Sequence, residues 1–443
     1  MDRIVAAIVR LVCSISGFAD VLPGMAFDRW HPGQPVKVLL VGYNGARNTG
    51  SDVRVADLAR RLAEAFDPGE IDLSVMTLDE ENTSVYFEGT ARQVPFKTLF
   101  FRKLLRACSE NHVIVLCEGS TLKSKFADAL TLYNCQAAGI AKAQGKPCGA
   151  MGSEIGQMEP YLKNVARELC SETYFVTRSG QSDLERQHLG LKGHLGTDTA
   201  WTFDSSPGRD RAIALLQDAG IGKEQPLLGI APVNPFCWPV RPSLLKFARS
   251  LVSGDRSLQF QSWYFFSWSE LREKRFHTYI DELAKASLTF CAERGYQPVI
   301  FGMEQLDTEA CQLLCEHMGG NVPIVTSRET DGFVISELLR SLSLLVTSRY
   351  HAQVLASSTF VPAVAVSMDE RLDNLASELG VGSDLLLHVN DADLAPRLLL
   401  ALDYAHENHD AISATLSSSV ESSVTTLQDM GSWFVDYVRS GLS

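Results

Sequence analysis

Short apolar runs alternate with Gly/Ser/Asn loops and with helical spacing of apolar residues along most of this chain. The run at 37–43, for example, is followed by Val55, Leu58, Ala59 and Leu62 at helical intervals. Alternating apolar strands and helices are typical of parallel βα units, whose strands are buried on both faces. The strands predicted in this way in the first half lie at 37–43, 73–76, 113–117, 148–151 and 174–176.

The pattern breaks at 204–208 and then starts again. The second series of predicted strands lies at 227–230, 298–301, 323–325, 344–347 and 363–366. Two α/β series in succession predict two Rossmann-like domains that face each other across a cleft, with extra helices at both ends of the chain. The predicted segments are an N-terminal helical extension (1–35), a first Rossmann-like domain (36–205), a second Rossmann-like domain (206–390) and a C-terminal helical segment (391–443).

The length of the chain and its net charge restrict the possible domain organisation and partners. A chain of 443 residues is too long for one compact core. Its formal charge of −13 argues against nucleic acid as a partner, because nucleic-acid binders neutralise phosphates with Lys and Arg. Ten scattered cysteines without a metal-binding spacing indicate a reducing, cytoplasmic compartment and no metal site. Residues 4–15 are apolar but too short for a membrane span, so we expect an amphipathic helix that packs on the body. A peripheral membrane contact and a homo-oligomer stay open.

Polar loops follow the strands of the first series. In the loop at 42–52, glycines allow close approach of a ligand, and the following helix presents free N–H groups. The spacing Gly45-x4-Gly50 resembles a P-loop, but Ser51 stands where the lysine would be, so NTP hydrolysis is not expected. An ordinary glycine turn with a helix cap explains this loop equally well. Further small polar residues follow the later strands at 117–123, 152–157, 177–179 and 196–199.

The sharpest candidate for chemistry lies in the second series. Arg349 and His351 come directly after the strand at 344–347, at the start of a helix. A fixed cation and a histidine beside helix N–H groups suit a phosphate or carboxylate, and the histidine can transfer protons. Aromatic residues are dense between 232 and 269. They are more often core than ligand contacts, although they also suit an acceptor platform.

These residues resemble the polysaccharide pyruvyltransferases. Arg349-Tyr350-His351-Ala352 is similar to the R-x-H-A element of that family, and Phe360-Val361-Pro362 to its G-V-P step. Asn48-Thr49-Gly50 is similar to the start of its N-x-G-D element. The resemblance covers residues 37–385. The sequence departs from the family pattern at Ser51, Glu118 and Arg371, and an Arg that often follows the first strand of the second domain is absent, with Arg241 nearby.

The resemblance implies a fold similar to the GT-B glycosyltransferases and a pyruvyl transfer. The enolpyruvyl group of phosphoenolpyruvate, a co-substrate, would form a ketal on hydroxyls of a saccharide or related acceptor in polysaccharide biosynthesis, without any cofactor. Arg349 would hold the donor, His351 would act as acid, base or phosphate ligand, and Glu154 or Asp198 would be the acceptor base. The residues expected to bind substrate are Asn44, Asn48, Gly50, Ser51, Asp52, Gly119, Ser120, Lys123, Arg178 and Arg371.

Two alternatives stay open. The first is a GT-B-like glycosyltransferase that uses a nucleotide-sugar donor. The second is a degenerate family member without activity, which the departures at Ser51 and Glu118 suggest.

Overall fold

The structure is a computed structural model that describes residues 1–18, 27–97, 99–222, 225–254 and 258–442. Its strands form two parallel sheets and one small antiparallel sheet. The strands are β1 (Val36–Asn44), β2 (Ile71–Thr77), β3 (Arg92–Pro95), β4 (Val113–Leu116), β5 (Cys148–Ser153), β6 (Tyr174–Thr177), β7 (Lys192–Leu195), β8 (Leu227–Ala231), β9 (Arg241–Pro242), β10 (Gln259–Gln261), β11 (Tyr264–Phe265), β12 (Gln297–Gly302), β13 (Ile324–Thr326), β14 (Leu344–Thr347), β15 (Ala363–Ser367) and β16 (Leu386–His388).

Helices cover both faces of the parallel sheets, because apolar strands buried on both sides need two covering layers. The helices are α1 (Asp2–Ser16), α2 (Thr49–Ala65), α3 (Glu80–Phe87), α4 (Phe101–Glu110), α5 (Asp128–Ala143), α6 (Pro160–Leu169), α7 (Gly180–His188), α8 (Arg209–Asp218), α9 (Leu244–Ser253), α10 (Glu270–Arg294), α11 (Thr308–His317), α12 (Gly332–Arg340), α13 (Tyr350–Ser357), α14 (Glu370–Glu378), α15 (Leu394–Glu407) and α16 (His409–Leu442).

Both parallel sheets reverse their strand order at one point. The first sheet has the order β3-β2-β1-β4-β5-β6-β7, and the second has β13-β12-β8-β14-β15-β16. Sequential strands therefore diverge between β1 and β4 in one sheet, and between β8 and β14 in the other. Crevices at such points, at the carboxyl ends of the strands, are where open α/β sheets bind ligands.

The strands predicted from apolar runs all exist. β14 has the predicted bounds, and the others differ from them by one or two residues. The short edge strands β3, β7 and β16 were not predicted, because an edge strand of three or four residues has no long apolar run. The antiparallel sheet β10-β11-β9 was not predicted either; it lies within the aromatic-rich stretch.

The C-terminal helix α16 returns to the first sheet. Tyr437 donates from its hydroxyl to the carbonyl of Cys148 over 2.9 Å, and Phe434 is fully buried. Gly149, in β5, lies so close that a Cβ there would be 3.2 Å from the Phe434 ring. A helix that begins beside the second sheet thus ends on the first one. This agrees with the expectation of a C-terminal helical segment.

The N-terminal helix α1 is amphipathic and packs on α5. Its buried residues are Val5, Ala6, Val9, Cys13 and Ser16. The predicted extension is described only in part, because 19–26 lie outside the described residues. Within the described ranges, no helix combines the length and the apolar character needed to cross a bilayer.

Replacing Phe434 by Ala tests the role of α16. The change removes a fully buried ring against Gly149, which typically costs about 3–5 kcal/mol. We expect a clearly lower melting temperature, and faster hydrogen exchange in α16 and β5. Ser432→Ala, at an exposed position of the same helix, is the control and should leave both unchanged. Equal melting of the two variants would contradict the docking of α16 on β5.

Candidate functional site

A cavity of about 190 Å³ lies between the two parallel sheets. Its polar end is formed by loops that follow strands of both sheets, on either side of the points where strand order reverses. The polar side chains and glycines at this end are Asn48, Gly50, Ser51, Arg54, Glu118, Gly119, Ser120, Arg178, Glu304, Arg349, His351 and Arg371. Many of the residues predicted to bind substrate therefore line one cavity.

Two helix N-termini meet in this cavity. Helix α2 starts at Thr49, where the side chain of Asn48 accepts from the backbone N–H of Ser51 over 3.2 Å. Helix α13 starts at Tyr350, and His351 lies directly against Gly50. A Cβ on Gly50 would be only 2.0 Å from His351 Nδ1, so this position admits only glycine without displacing the imidazole. Each helix start carries N–H groups without intrahelical partners and a partial positive charge.

Asn44 and Asp52 lie beside the cavity and do not line it. The Asn44 side chain is fully buried and donates to the carbonyl of Met76 over 3.1 Å. Asp52 accepts from the backbone N–H of Gly45 over 3.0 Å, and burial raises its pKa to about 7. Both residues hold the turn after β1 in shape. The structure does not support direct substrate contact for either of them.

Arg54 is a site residue that the sequence did not reveal. It lies on α2, one turn after Ser51, and only 1% of it is exposed. Its guanidinium pairs with Asp198 at 3.1 Å and donates to the carbonyls of Cys117 and Gly152 at 3.1 and 2.6 Å. It therefore joins α2 to the end of β5 and to the loops after β4 and β7. The sequence signal that could have identified Arg54 was a charged residue between Val53 and Val55 on a buried helix face.

Charged residues that follow strands β4 to β7 and β15 form a continuous and mostly buried network. Asp198 pairs with Arg54 and with Arg178, the latter at 3.0 Å, and Arg178 also pairs with Glu154. Lys123 continues the chain, 2.7 Å from Glu154 and 3.0 Å from the carboxylate of Glu370. Arg371 pairs with Asp369 at 2.9 Å at the far end. The cations Arg54, Arg178, Lys123 and Arg371 thus face the carboxylates of Asp198, Glu154, Asp369 and Glu370, and their charges cancel.

This pairing changes the expected roles of four residues. Lys123 and Arg178 were expected to hold an anionic substrate, but each already carries carboxylate partners. Burial alone would raise the pKa of Glu154, yet Lys123 and Arg178 outweigh it and lower that pKa. The pKa of Asp198 is lowered well below its usual range for the same reason, with Arg54, His351 and Arg178 acting against burial. Both carboxylates stay ionised, and both oxygens of each already accept from basic side chains, which disfavours either as the acceptor base.

The guanidinium of Arg349 is also paired with carboxylates. Its Nε donates to Asp307 Oδ2 over 2.9 Å, and its Nη2 donates to the other oxygen of the same carboxylate. Its Nη1 lies 3.2 Å from Glu304 Oε2. Two carboxylates therefore face one guanidinium at the site where the donor's anion was expected. Arg349 holds the loop after β12 against the start of α13.

His351 bridges the two domains. Its Nε2 lies 3.6 Å from Asp198 Oδ2, while its Nδ1 faces Gly50. Burial, with a smaller effect of Arg178 and Arg54, lowers the pKa of His351 to about 4, although Asp198 acts in the opposite direction. The imidazole is therefore neutral near pH 7. In that state it can accept a proton, with Asp198 placed to stabilise the resulting imidazolium.

The loop after β4 closes the site from the other side. Glu118 accepts from the N–H of Tyr43 over 3.1 Å and from the hydroxyl of Ser51 over 3.0 Å, and the N–H of Ser120 is 3.3 Å away. A Cβ on Gly119 would lie 2.9 and 3.0 Å from the guanidinium groups of Arg54 and Arg178. Glu118, one of the departures from the family pattern, thus organises both loops.

Similar architecture is found in enzymes of nucleotide-sugar metabolism. A UDP-N-acetylglucosamine 2-epimerase from Rickettsia bellii matches with a TM-score of 0.57 and 10% identity, over 92% of this chain and 98% of that one. The UDP-GlcNAc-bound 2-epimerase from Neisseria meningitidis matches with a TM-score of 0.54 and 12% identity, over 89% of this chain and 100% of that one. A glycosyltransferase from Rickettsia africae matches with a TM-score of 0.54 and 8% identity, over 92% of this chain and 99% of that one. The chain has the GT-B fold. No protein-family model matches the sequence, and no curated protein is significantly similar to it.

The prediction of pyruvyl transfer from phosphoenolpyruvate is wrong. The similar structures are UDP-GlcNAc 2-epimerases and a glycosyltransferase, which favour the nucleotide-sugar alternative. The paired state of Arg349 agrees with this correction, because a donor carboxylate there would compete with Asp307 and Glu304. The resemblance to the pyruvyltransferase family as such stays a prediction, as does the expectation of no cofactor.

Gly50→Ala tests the contact between the helix starts. The new methyl group would overlap the His351 ring, so α2 and α13 must separate. We expect faster hydrogen exchange at the start of α13 and a larger radius of gyration in solution scattering. Gly180→Ala, also in the first turn of a helix but with open space around it, is the matched control. If the two variants behave alike, the close packing of His351 on Gly50 is wrong.

The buried histidine also predicts a pH effect. The pKa of His351 falls from 6.5 to about 4 on folding, so protonation favours the unfolded state. Its contribution to the free energy of unfolding is complete above about pH 6.5 and is lost as the pH falls towards about 4. His351→Gln should therefore lose less stability than the wild type over this interval. Denaturation curves at several pH values measure it, together with NMR titration of the histidine; an ordinary titration near 6.5 would contradict the burial.

Proposed function

We propose that this chain is a glycosyltransferase of the GT-B type that uses a nucleotide-sugar donor. The observation that carries the proposal is the meeting of two helix N-termini, those of α2 and α13, at Gly50 and His351 in the cavity between the domains. The structural similarity to 2-epimerases of UDP-N-acetylglucosamine supports a nucleotide sugar as the ligand.

A diphosphate suits this place better than a carboxylate does. Opposed helix starts offer backbone N–H groups and two positive dipole ends, and phosphates bind to such ends without any basic side chain. The basic side chains nearby are already engaged, because Arg178 and Arg349 are held by carboxylates. The backbone therefore supplies the net attraction for the anion.

His351 and Asp198 would perform the proton transfer. If Nε2–H points to Asp198, Nδ1 is left free to accept a proton. During transfer, the acceptor oxygen would form a bond to the anomeric carbon while the bond from that carbon to the diphosphate oxygen breaks. The hydroxyl proton would pass to His351, and the electron pair of the broken bond would leave with the nucleoside diphosphate. The helix N-termini would stabilise that leaving charge.

Substrate entry requires the domains to part. The cavity measures about 190 Å³, less than the roughly 300–1,000 Å³ of pockets that enclose a small ligand. Contacts across the gap include the N–H of Thr49 to the carbonyl of Met303 at 2.8 Å, and Arg47 Nη1 to the carbonyls of Ser327 and Arg328.

Direct binding and turnover test the proposal. A panel of UDP, GDP and ADP sugars is measured by calorimetry, and release of the nucleoside diphosphate is followed with and without acceptors. We expect one nucleotide class to bind, and turnover to depend on acceptor. His351→Ala should lower turnover by about 10²–10⁴-fold, the usual contribution of a general acid or base, while nucleotide binding persists.

His188→Ala is the control, since that imidazole is exposed on α7 and outside the cavity. Failure of every nucleotide sugar to bind would contradict the proposal. Full activity of His351→Ala would reject the role of this residue. Nucleotide binding without any turnover would favour the non-catalytic alternative.

A further inference from the structure

We infer that the acceptor carries an apolar substituent, and that this substituent binds in a second part of the same cavity. This rests on the proposed function, which supplies the donor. Beyond the polar end, the cavity continues between the first domain and the small antiparallel sheet of the second. We call this part the apolar limb; it is lined by Phe100, Leu130 and Tyr133 from one side, and by Trp238 and Phe260 from the other.

The apolar limb is a surface between separate structural units. Trp238 and Phe260 belong to the segment that forms β9–β11, whereas Tyr133 lies on α5 and Phe100 directly precedes α4. Val5 of α1 also reaches the cavity, and α1 is tied to the antiparallel sheet where Tyr264 donates to Asp2 over 2.8 Å. Three parts of the chain that are far apart in sequence therefore enclose it. If these side chains served only as a hydrophobic core, they would be expected to fill this space.

The rings do not form a flat platform for a sugar. Trp238 meets Phe126 at 88° and Phe260 at 73°, and Phe100 meets Tyr133 at 83°, while Phe96 stacks on Tyr133 at 9°. Rings packed edge to face with one another form an apolar wall rather than a stacking surface. Such a wall suits a hydrocarbon chain or an aryl group attached to the hydroxyl-bearing part of the acceptor.

Two buried polar atoms support the presence of a ligand here. Tyr133 Oη and Trp238 Nε1 have no hydrogen-bond partner among the described residues, although both residues are at least nine-tenths buried. An unpaired buried donor typically costs about 1–3 kcal/mol. A linking oxygen between the apolar and the polar part of an acceptor would satisfy one of these groups. The acceptor we propose is therefore amphiphilic, with its hydroxyl at His351 and its apolar part between Tyr133 and Trp238.

Calorimetry with a series of β-D-glucosides tests this inference without any donor. The probes are methyl, hexyl and octyl glucoside, each below its critical micelle concentration, and phenyl glucoside. Each methylene buried in the limb should tighten binding roughly fourfold, so octyl glucoside should bind at least tenfold more tightly than hexyl glucoside. A strong alkyl series identifies a lipid-like acceptor, whereas tight binding of phenyl glucoside alone identifies an aryl one; both support the inference.

Two variants close the apolar limb by different means. Ala129→Trp fills it from α5, and Leu130→Asp places a carboxylate in it at the third position of α5, where an acidic residue favours the helix. Both should abolish the dependence on chain length and keep nucleotide binding. Ala214→Trp, on the exposed side of α8, is the control for added bulk. Equal affinity for methyl and octyl glucoside, or a chain-length dependence that survives in both variants, would overturn the inference.

The two proposals can fail separately. Nucleotide binding without a preference for apolar glucosides would reject the amphiphilic acceptor alone. A preference for apolar glucosides that both variants abolish, without binding of any nucleotide sugar, would reject the donor assignment and keep the apolar site.

Discussion

The pairing of Arg54 with Asp198 is the constraint on which the site depends. Both side chains are about 1% exposed, and a buried charge without a partner costs several kcal/mol. Asp198 can therefore keep its place only while Arg54 and Arg178 hold it, and His351 reaches it from the second domain. One carboxylate thus connects the interior of the first domain with the histidine that the second domain supplies.

Most of the fold could be predicted because its information is local. Apolar runs such as 344–347 report burial on both faces of a strand, and a buried strand needs no distant partner to be recognised. The antiparallel sheet β9–β11 could not be predicted, because its strands have two or three residues and are defined by pairing. Arg54 was missed for a similar reason: its carboxylate partner is 144 residues away. Neither the sheet β9–β11 nor the pairing of Arg54 produces a recognisable pattern in the sequence.

The motif around Arg349 shows how a correct position can suggest the wrong chemistry. Its location at a strand end in the cleft was recognisable, and the structure places Arg349 and His351 in the cavity. The sequence did not show that the guanidinium of Arg349 is paired, because its carboxylate partners Asp307 and Glu304 precede it by more than forty residues. An arginine in sequence appears as a free cation, whereas in the fold it fastens two loops. The part of the interpretation that agrees with the structure is the placement of two helix starts, those of α2 and α13, at the cavity.

The closeness of an apolar wall to a neutral histidine has a chemical consequence. A donor whose anomeric carbon is activated can react with water as readily as with an acceptor hydroxyl, unless water is kept out. The wall around Tyr133 and Trp238 excludes water on one side, and the paired charges around Asp198 leave few groups that need hydration on the other. An acceptor that fills the apolar limb would complete the exclusion by its own binding. Occupation of that limb would thus couple recognition of the acceptor to protection of the donor, which is a reason for the two parts of the cavity to adjoin.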